Sequence, residues 1–192
     1  LLILIMVFSL LNKVVNGVKE GVKNGLKGVA NVGEAVVELV KNLTVTTFKE
    51  GGEILTKTVE GIASIVNGAI SGVAEVGASV ISAIKGIVIG TIKGATEKGQ
   101  EQKVAVKGAI RGVIYSAKDL GLNVGDAAVE AVKGAIEAVK SVGGDAVEAT
   151  KEAVKTAIET AKEIGEETVE AVEKSLKNSI EGAKEIIESL KK

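Results

Sequence analysis

The chain has 192 residues and a formal net charge of −1, and it contains no Pro, Cys, His or Trp. The lack of Cys excludes disulfides and thiol catalysis, and the lack of His removes the commonest metal ligand and general base. Balanced charge argues against a nucleic-acid-binding protein, which needs a concentrated basic face. With only two Phe and one Tyr, the core must be built from small aliphatic side chains, and stability is expected to come from long helix contacts or from partners.

The first eleven residues, LLILIMVFSLL, carry no charge. As a helix they would cover about 16 Å, roughly half of the apolar thickness of a bilayer. Three interpretations fit this run: the end of a signal or anchor segment, the start of an interfacial helix, and a buried helix end. Because the run does not begin with Met, an upstream stretch or a processed terminus is expected.

Apolar residues recur every eleven positions along most of the chain. We call a set of residues spaced eleven positions apart a column. One column of the middle region holds Val59, Ile70, Ile81 and Ile92. Eleven residues make three helical turns, so such a stripe runs almost straight along a helix. The pattern predicts an all-α protein of a few long amphipathic helices, packed as an antiparallel hairpin, a bundle or an extended coiled-coil-like assembly. We expect this protein to be oligomeric.

Four regions follow in chain order. Residues 1–43 hold the apolar run and a first repeat helix, and residues 44–52, TVTTFKEGG, predict a turn. Residues 53–100 form a Gly-rich apolar repeat helix, and residues 101–192 form charged helices rich in Ala, Val, Glu and Lys, with a candidate break at 121–126. Since the columns pass Gly143-Gly144 without a change of phase, we expect one continuous or gently bent helix from about 126 to 190, roughly 95 Å long.

Glycines recur at a spacing of four in the first 112 residues, for example at Gly86, Gly90 and Gly94. Each Gly in a helix interior costs about 0.5–1 kcal/mol relative to Ala, so this pattern predicts close helix packing. The alternative is a weakly stable helix that becomes ordered only on a surface. The predicted lipid-contact or helix-packing face consists of Ile62, Ile65, Gly68, Ile70, Gly72, Val73, Val76, Ile81, Ile84, Ile87, Gly90 and Gly94.

Residues 61–84 contain a single charge, Glu75, and are long enough as one helix to cross a bilayer. Most of them are small or weakly apolar, which favours burial in a helical bundle or shallow lipid contact over a membrane span.

No pattern of catalytic or ligand-binding residues stands out. Carboxylates of the C-terminal half lie one helical turn from lysines, as Glu159 does from Lys162, which is typical of a solvated face. A GxxxxGK phosphate loop is absent. We therefore predict no enzyme activity, no cofactor, no metal site, no nucleic acid and no small-molecule substrate.

The stretch from Lys57 to Ile62, KTVEGI, resembles the KTKEGV core of the synuclein repeats, and Val18 to Val22, VKEGV, is similar. The eleven-residue layout also resembles perilipins and exchangeable apolipoproteins. This resemblance implies a helix that lies on lipid, with Lys near the headgroups. The neutral middle region and the acidic C-terminal half depart from the synuclein pattern.

The sequence favours a membrane-associated structural or scaffold protein without enzyme activity, in a compartment that the sequence does not specify. Its expected partners are a membrane lipid surface, copies of itself, or both. The alternative is a soluble helical bundle or filament that assembles with copies of itself.

Overall fold

The computed structural model describes residues 1–51 and 58–192, and the described part is helical without any strand. This confirms the all-α prediction. Nine helices occupy it: α1 (Leu2–Leu26), α2 (Val32–Glu50), α3 (Val59–Glu75), α4 (Val80–Glu97), α5 (Gln102–Asp119), α6 (Val124–Ser141), α7 (Ala146–Ile164), α8 (Glu166–Ser179) and α9 (Ala183–Leu190).

The helices form two layers. Helices α1 and α2 pack antiparallel, as does each pair of consecutive helices from α3 to α8, and each helix from α1 to α6 packs parallel to the helix two places further along the chain. One layer therefore contains α1, α3, α5 and α7, the other contains α2, α4, α6 and α8, and α9 covers α7 and α8. Parallel packing is evident where Val18 and Val22 of α1 contact Gly68 and Gly72 of α3 in the same order.

Turns follow a 22-residue period. Gly77, Gly99, Gly121 and Gly143 each lie just after a helix, with φ between 69° and 85°. This left-handed conformation suits glycine because it lacks a Cβ. One helix with its turn thus takes up two eleven-residue repeats, so the chain reverses direction while the apolar columns stay in phase.

The predicted continuous helix from 126 to 190 is wrong for that reason. The structure divides this region into α6, α7, α8 and α9. The apolar residues keep their eleven-residue spacing through Gly143-Gly144 because one helix and its turn together span two repeats. The preserved spacing does not mean that the helix continues through these glycines. The described part of the chain accordingly has more and shorter helices than the sequence predicted.

A polar side chain caps the start of several helices. Asn31, Thr58, Ser79 and Asn123 each accept a hydrogen bond from the backbone N–H three residues later, at 2.9–3.3 Å. Asp145 caps α7 in the same way, through Val147 N and Glu148 N. Because such caps satisfy N–H groups that a helix start leaves unpaired, each turn leads directly into a new helix. The break predicted at 121–126 corresponds to the turn between α5 and α6, and Asn123 caps the start of α6.

The turn predicted at 44–52 is wrong for residues 44–50, since α2 continues to Glu50; residue 52 lies outside the described residues. Thr44 is buried, and its hydroxyl donates to the Val40 carbonyl oxygen at 2.7 Å. Thr47 bonds to Leu43 in the same manner. These bonds let β-branched threonines remain in a helix that their propensity alone disfavours.

Candidate functional site: an exposed apolar helix segment

Residues 1–11, which we call the N-terminal apolar segment, lie largely in solvent. The exposed fractions of its large side chains are 96% for Leu1, 73% for Leu2, 78% for Ile3, 54% for Leu4, 57% for Ile5, 57% for Met6, 59% for Phe8 and 39% for Leu10. Single exposed apolar side chains are normal on protein surfaces, but a contiguous group of this size is uncommon on a monomeric protein in water.

Apolar exposure extends around the whole helix at its start. Consecutive helical residues are about 100° apart around the axis, so six of them sample every side. Residues 1–6 are all more than half exposed. Every side of this stretch is therefore at least half open to solvent.

The second half of the same helix is held in the helical body. Val18, Val22 and Leu26 are at most 3% exposed. A Cβ added to Gly68 of α3 would lie 2.5 Å from the Val15 carbonyl oxygen, which shows how closely the two backbones approach. The body thus fixes the direction in which the apolar segment points.

The segment projects past the neighbouring helix. Gly68 lies against Val15 and Val18, and α3 begins nine residues before Gly68, at Val59. The start of α3 is therefore level with roughly residues 6–9 of α1, and the preceding five residues extend about 8 Å beyond it. Within the described residues, α1 is the one helix long and apolar enough by composition to cross a membrane, with 11% of its most apolar stretch buried.

Lysines begin where the apolar segment ends. Lys13 is exposed, whereas Lys19 and Lys23 pair with Glu75 of α3 at 3.5 and 2.9 Å. The hydrogen bond from Lys23 lowers the pKa of Glu75, and the same bond raises the pKa of Lys23. These ion pairs attach the second half of α1 to α3, and Lys13 marks the boundary between apolar segment and body.

A cavity of about 380 Å³ opens beside the segment, between α1 and α2. Leu10, Val14 and Leu43 contribute apolar walls, and Lys13 and Glu50 contribute charged side chains. Gly17 lines it as well, and a Cβ at Gly17 would meet no atom within 4 Å. The apolar surface of the segment therefore continues into this cavity.

The residues predicted as a lipid-contact or helix-packing face lie mostly inside the body. Val76 and Ile81 are partly exposed. The other ten are buried: Ile62, Ile65, Gly68, Ile70, Gly72, Val73, Ile84, Ile87, Gly90 and Gly94. They occupy α3 and α4, and Gly77 separates these helices by a turn, so residues 61–84 do not form one 24-residue helix.

Sequence analysis missed the contact between Arg111 of α5 and Glu163 of α7. Arg111 donates to the two carboxylate oxygens of Glu163 at 2.5 and 3.3 Å, and its guanidinium lies 5.5 Å from the centre of the Tyr115 ring. The hydrogen bond lowers the pKa of Glu163 and raises that of Arg111. The two residues are 52 positions apart, so no local pattern signals the pair. Its geometry is that of a surface ion pair linking two helices.

No protein-family model matches the chain, and no curated protein matches it. Among solved structures, the chain is similar to the crystal structure of a de novo designed helical repeat protein, with 20% sequence identity and a TM-score of 0.56. The match covers 90% of this chain and 95% of that chain. Similarity at this level of sequence identity supports the fold alone. Together with the two-layer arrangement, it defines a helical-repeat architecture.

Proposed function

We propose that this chain is a structural scaffold without enzyme activity that associates with a lipid membrane through its N-terminal apolar segment. The helical body stays in water at the membrane surface. The observation that carries this proposal is the exposure of eight large apolar side chains on a helix whose other half is fixed in the body.

The energy available from this segment supports membrane binding. Full burial of one Leu, Ile, Phe or Met side chain contributes about 1.5–3 kcal/mol. Eight partly exposed side chains therefore offer on the order of 10 kcal/mol when they enter lipid. This is comparable to the energy of burying one fatty acyl chain, which supports reversible membrane binding.

The chemistry of the segment favours lipid over a second copy of the chain. Helix contacts inside the body rely on glycine, as at Gly68, Gly72 and Gly90, where backbones approach closely. The segment contains no Gly, and its large side chains surround the helix. Another helix would cover one side of it, whereas lipid chains contact a helix from all sides.

The remaining surface suits water. Ion pairs join neighbouring helices at Lys85 and Glu137 and at Arg111 and Glu163. Lysines and glutamates are also mixed along the exposed face of α7, as at Lys151, Lys155 and Glu159. Such a mixed surface favours a body that remains outside the apolar part of the bilayer.

Flotation with neutral phosphatidylcholine vesicles tests the proposal. The wild-type chain is expected to float with the vesicles, and the double variant Leu4→Glu with Phe8→Glu is expected to lose at least tenfold in floated fraction. The reason is that one charge in the apolar part of a bilayer costs about 2.5–3.5 kcal/mol. Leu120→Glu is the matched control, because Leu120 is 45% exposed but lies in the turn after α5.

Circular dichroism should show the same helicity and melting for all three proteins, since none of the substituted side chains is buried. A wild-type chain that stays with the unbound fraction overturns the proposal. If the wild type also sediments as an oligomer without lipid, and the double variant as a monomer, the segment is a self-association surface instead.

A further inference from the structure

Leucine side chains of α2 fill the spaces that two glycines leave on α1. Leu43 lies against Gly21 and Leu39 lies against Gly25, and in each pair a Cβ on the glycine would be 2.6 Å from the end of the leucine side chain. The leucines are one helical turn apart, and so are the glycines. Large side chains thus close the contact between the two helices over this length.

The next pair in this series, one turn further along each helix, consists of Thr47 and Gly17, and it leaves a space. The Thr47 side chain is shorter than leucine, and its hydroxyl donates to the Leu43 carbonyl oxygen at 2.7 Å. A Cβ on Gly17 would meet no atom within 4 Å. Both residues line the cavity of about 380 Å³ between α1 and α2.

The equivalent position in α3 holds a large side chain. Val18 of α1 and Val66 of α3 each contact a glycine of the next helix in their layer. The residues that precede them, Gly17 and Ile65, are therefore equivalent, and Ile65 is fully buried in the core. Glycine in α1 leaves open a space that isoleucine fills in α3.

The lining of this cavity suits an acyl chain. Leu10, Val14, Val18 and Leu43 provide apolar walls, and the Thr47 hydroxyl already has its partner in the helix. The volume lies within the range of about 300–1,000 Å³ that is typical of small-molecule sites. An apolar chain would supply the contacts that the lining side chains lack.

Two charges of opposite sign lie on the open side of the cavity. Lys13 of α1 and Glu50 of α2 both line it and are exposed, and neither has an ion-pair partner among the described residues. Because α1 and α2 are antiparallel with Gly21 opposite Leu43, these charges face each other across the same end of the cavity. A zwitterionic headgroup carries the complementary charges, with a phosphate for Lys13 and a quaternary ammonium group for Glu50.

We infer that this cavity binds a single-chain zwitterionic lipid of the lysophosphatidylcholine class. Its acyl chain lies between α1 and α2, and its phosphocholine group lies at Lys13 and Glu50. The inference rests on the proposed function for the supply of this ligand, since the apolar segment, which includes Leu10, holds the cavity at a lipid surface.

Titration with myristoyl-lysophosphatidylcholine below its critical micelle concentration tests the inference. The starting protein is the double variant Leu4→Glu with Phe8→Glu, whose substitutions remove apolar side chains of the segment and leave the cavity lining unchanged. Isothermal titration calorimetry should show saturable binding of one lipid per chain. The absence of such binding overturns the inference, whereas the proposed function is decided by the flotation of the wild type.

Filling the cavity should block this binding. Added to the starting protein, Thr47→Leu continues the leucine series and should weaken lipid binding by about tenfold or more, because the new side chain occupies the place of the acyl chain. Gly17→Leu fills the same space from α1 and should have the same effect. Asn42→Leu is the matched control, since Asn42 is exposed on α2 and does not line the cavity.

Circular dichroism identifies any variant that does not fold, and the two filling variants arise on different helices. Binding by a folded Thr47→Leu or Gly17→Leu protein that equals binding by Asn42→Leu overturns the cavity as the site.

Singly charged amphiphiles test the role of the two charges. Myristate and tetradecyltrimethylammonium have chains of similar length, and each leaves one of the charges at the cavity opposite a like charge or without a partner. Both should bind about tenfold more weakly than the lysophosphatidylcholine. The double variant Lys13→Gln with Glu50→Gln should remove this preference. Equal binding of all three amphiphiles by the starting protein overturns the assignment of a zwitterionic ligand.

Discussion

Gly17 and Gly90 lie in the interiors of α1 and α4, but their surroundings differ. A Cβ at Gly90 would lie 2.5 Å from the Val37 carbonyl oxygen and 3.0 Å from the Lys41 nitrogen, both of them backbone atoms of α2. A Cβ at Gly17 would meet nothing within 4 Å. Gly90→Ala should therefore force two helices apart and lower the free energy of unfolding by about 1–3 kcal/mol.

Gly17→Ala is the matched variant, and it should raise the free energy of unfolding by about 0.5–1 kcal/mol because it removes only the cost of a helical glycine. Urea unfolding followed by circular dichroism measures both variants. A Gly90→Ala protein as stable as the wild type would contradict the close contact between α2 and α4.

Ser116 carries a buried hydroxyl without a hydrogen-bond partner, and the residue is 4% exposed. Ser116→Ala removes this unsatisfied group and should raise the free energy of unfolding by about 1 kcal/mol. Ser64→Ala is the control, because the Ser64 hydroxyl donates to the Glu60 carbonyl oxygen at 2.9 Å. If Ser64→Ala stabilises the chain as much as Ser116→Ala, helix propensity alone explains both changes in urea unfolding.

Sequence analysis found the glycines at a spacing of four but could not tell their individual roles. Gly17, Gly21 and Gly25 form the same pattern as Gly86, Gly90 and Gly94. The second series meets the backbone of α2, whereas Gly21 and Gly25 meet only the ends of leucine side chains. The difference depends on which helices are neighbours, and local spacing carries no information about that.

At the scale of single elements, the turn at Gly121 depends on a left-handed residue. Gly121 has φ of 69°, and the Leu122 nitrogen donates to the Ala117 carbonyl oxygen at 2.9 Å across the helix end. Gly121→Ala should lower the free energy of unfolding by about 1 kcal/mol, since a Cβ disfavours this conformation. No atom lies within 4 Å of the added Cβ, so the effect comes from the backbone alone.

Gly121→Asn tests this interpretation, because Asn tolerates the left-handed conformation better than Ala. It should recover part of the stability in thermal unfolding. An Asn variant less stable than the Ala variant would show that side-chain crowding, and not backbone conformation, determines the preference for glycine.

The ion pair between α5 and α7 predicts a pH dependence. The folded protein holds the pKa of Glu163 below its ordinary value through the hydrogen bond from Arg111. The resulting stability is present above the unfolded-state pKa of Glu163 and is lost as the pH falls through the lower folded-state pKa. Urea midpoints measured from about pH 6 to pH 3 should therefore fall less steeply for Glu163→Gln than for the wild type.

Glu159→Gln is the control for this series, because it removes a carboxylate from the same helix without changing the contact with Arg111. An identical pH profile for wild type and Glu163→Gln would show that the pair does not stabilise the fold.

The eleven-residue period predicted helices correctly, but it did not indicate where each helix ends. A helix of about 18 residues with a four-residue turn takes the same length as two repeats, so Gly99, Gly121 and Gly143 fall at equivalent positions. Because the chain reverses direction once every two repeats, the eleven-residue spacing of the apolar residues continues through each turn. The caps Asn123 and Asp145, which follow Gly121 and Gly143, carried part of the missing signal, since capping residues mark helix starts independently of periodicity.

For the molecule as a whole, composition predicted a helical protein with an aliphatic core and an apolar run at the start. It could not decide which apolar residues would face other helices. Ile62 and Ile87 resemble Ile3 and Ile5 in sequence, yet the first two are fully buried and the second two are more than half exposed. The stacking of helices in two layers makes this distinction, and it follows from contacts between residues about 46 to 53 positions apart.

The proposed membrane association requires a change of environment along α1, from lipid at the apolar segment to water beyond Lys13. Spin labels at the exposed positions Leu4, Asn16 and Asn24 measure this change in phosphatidylcholine vesicles, through their accessibility to oxygen and to a water-soluble nickel chelate. We predict that oxygen reaches the label at Leu4 more readily than the chelate does, and that the order is reversed at Asn16 and Asn24. Equal access of the chelate to Leu4 and Asn24 in the presence of vesicles would contradict the proposed membrane association.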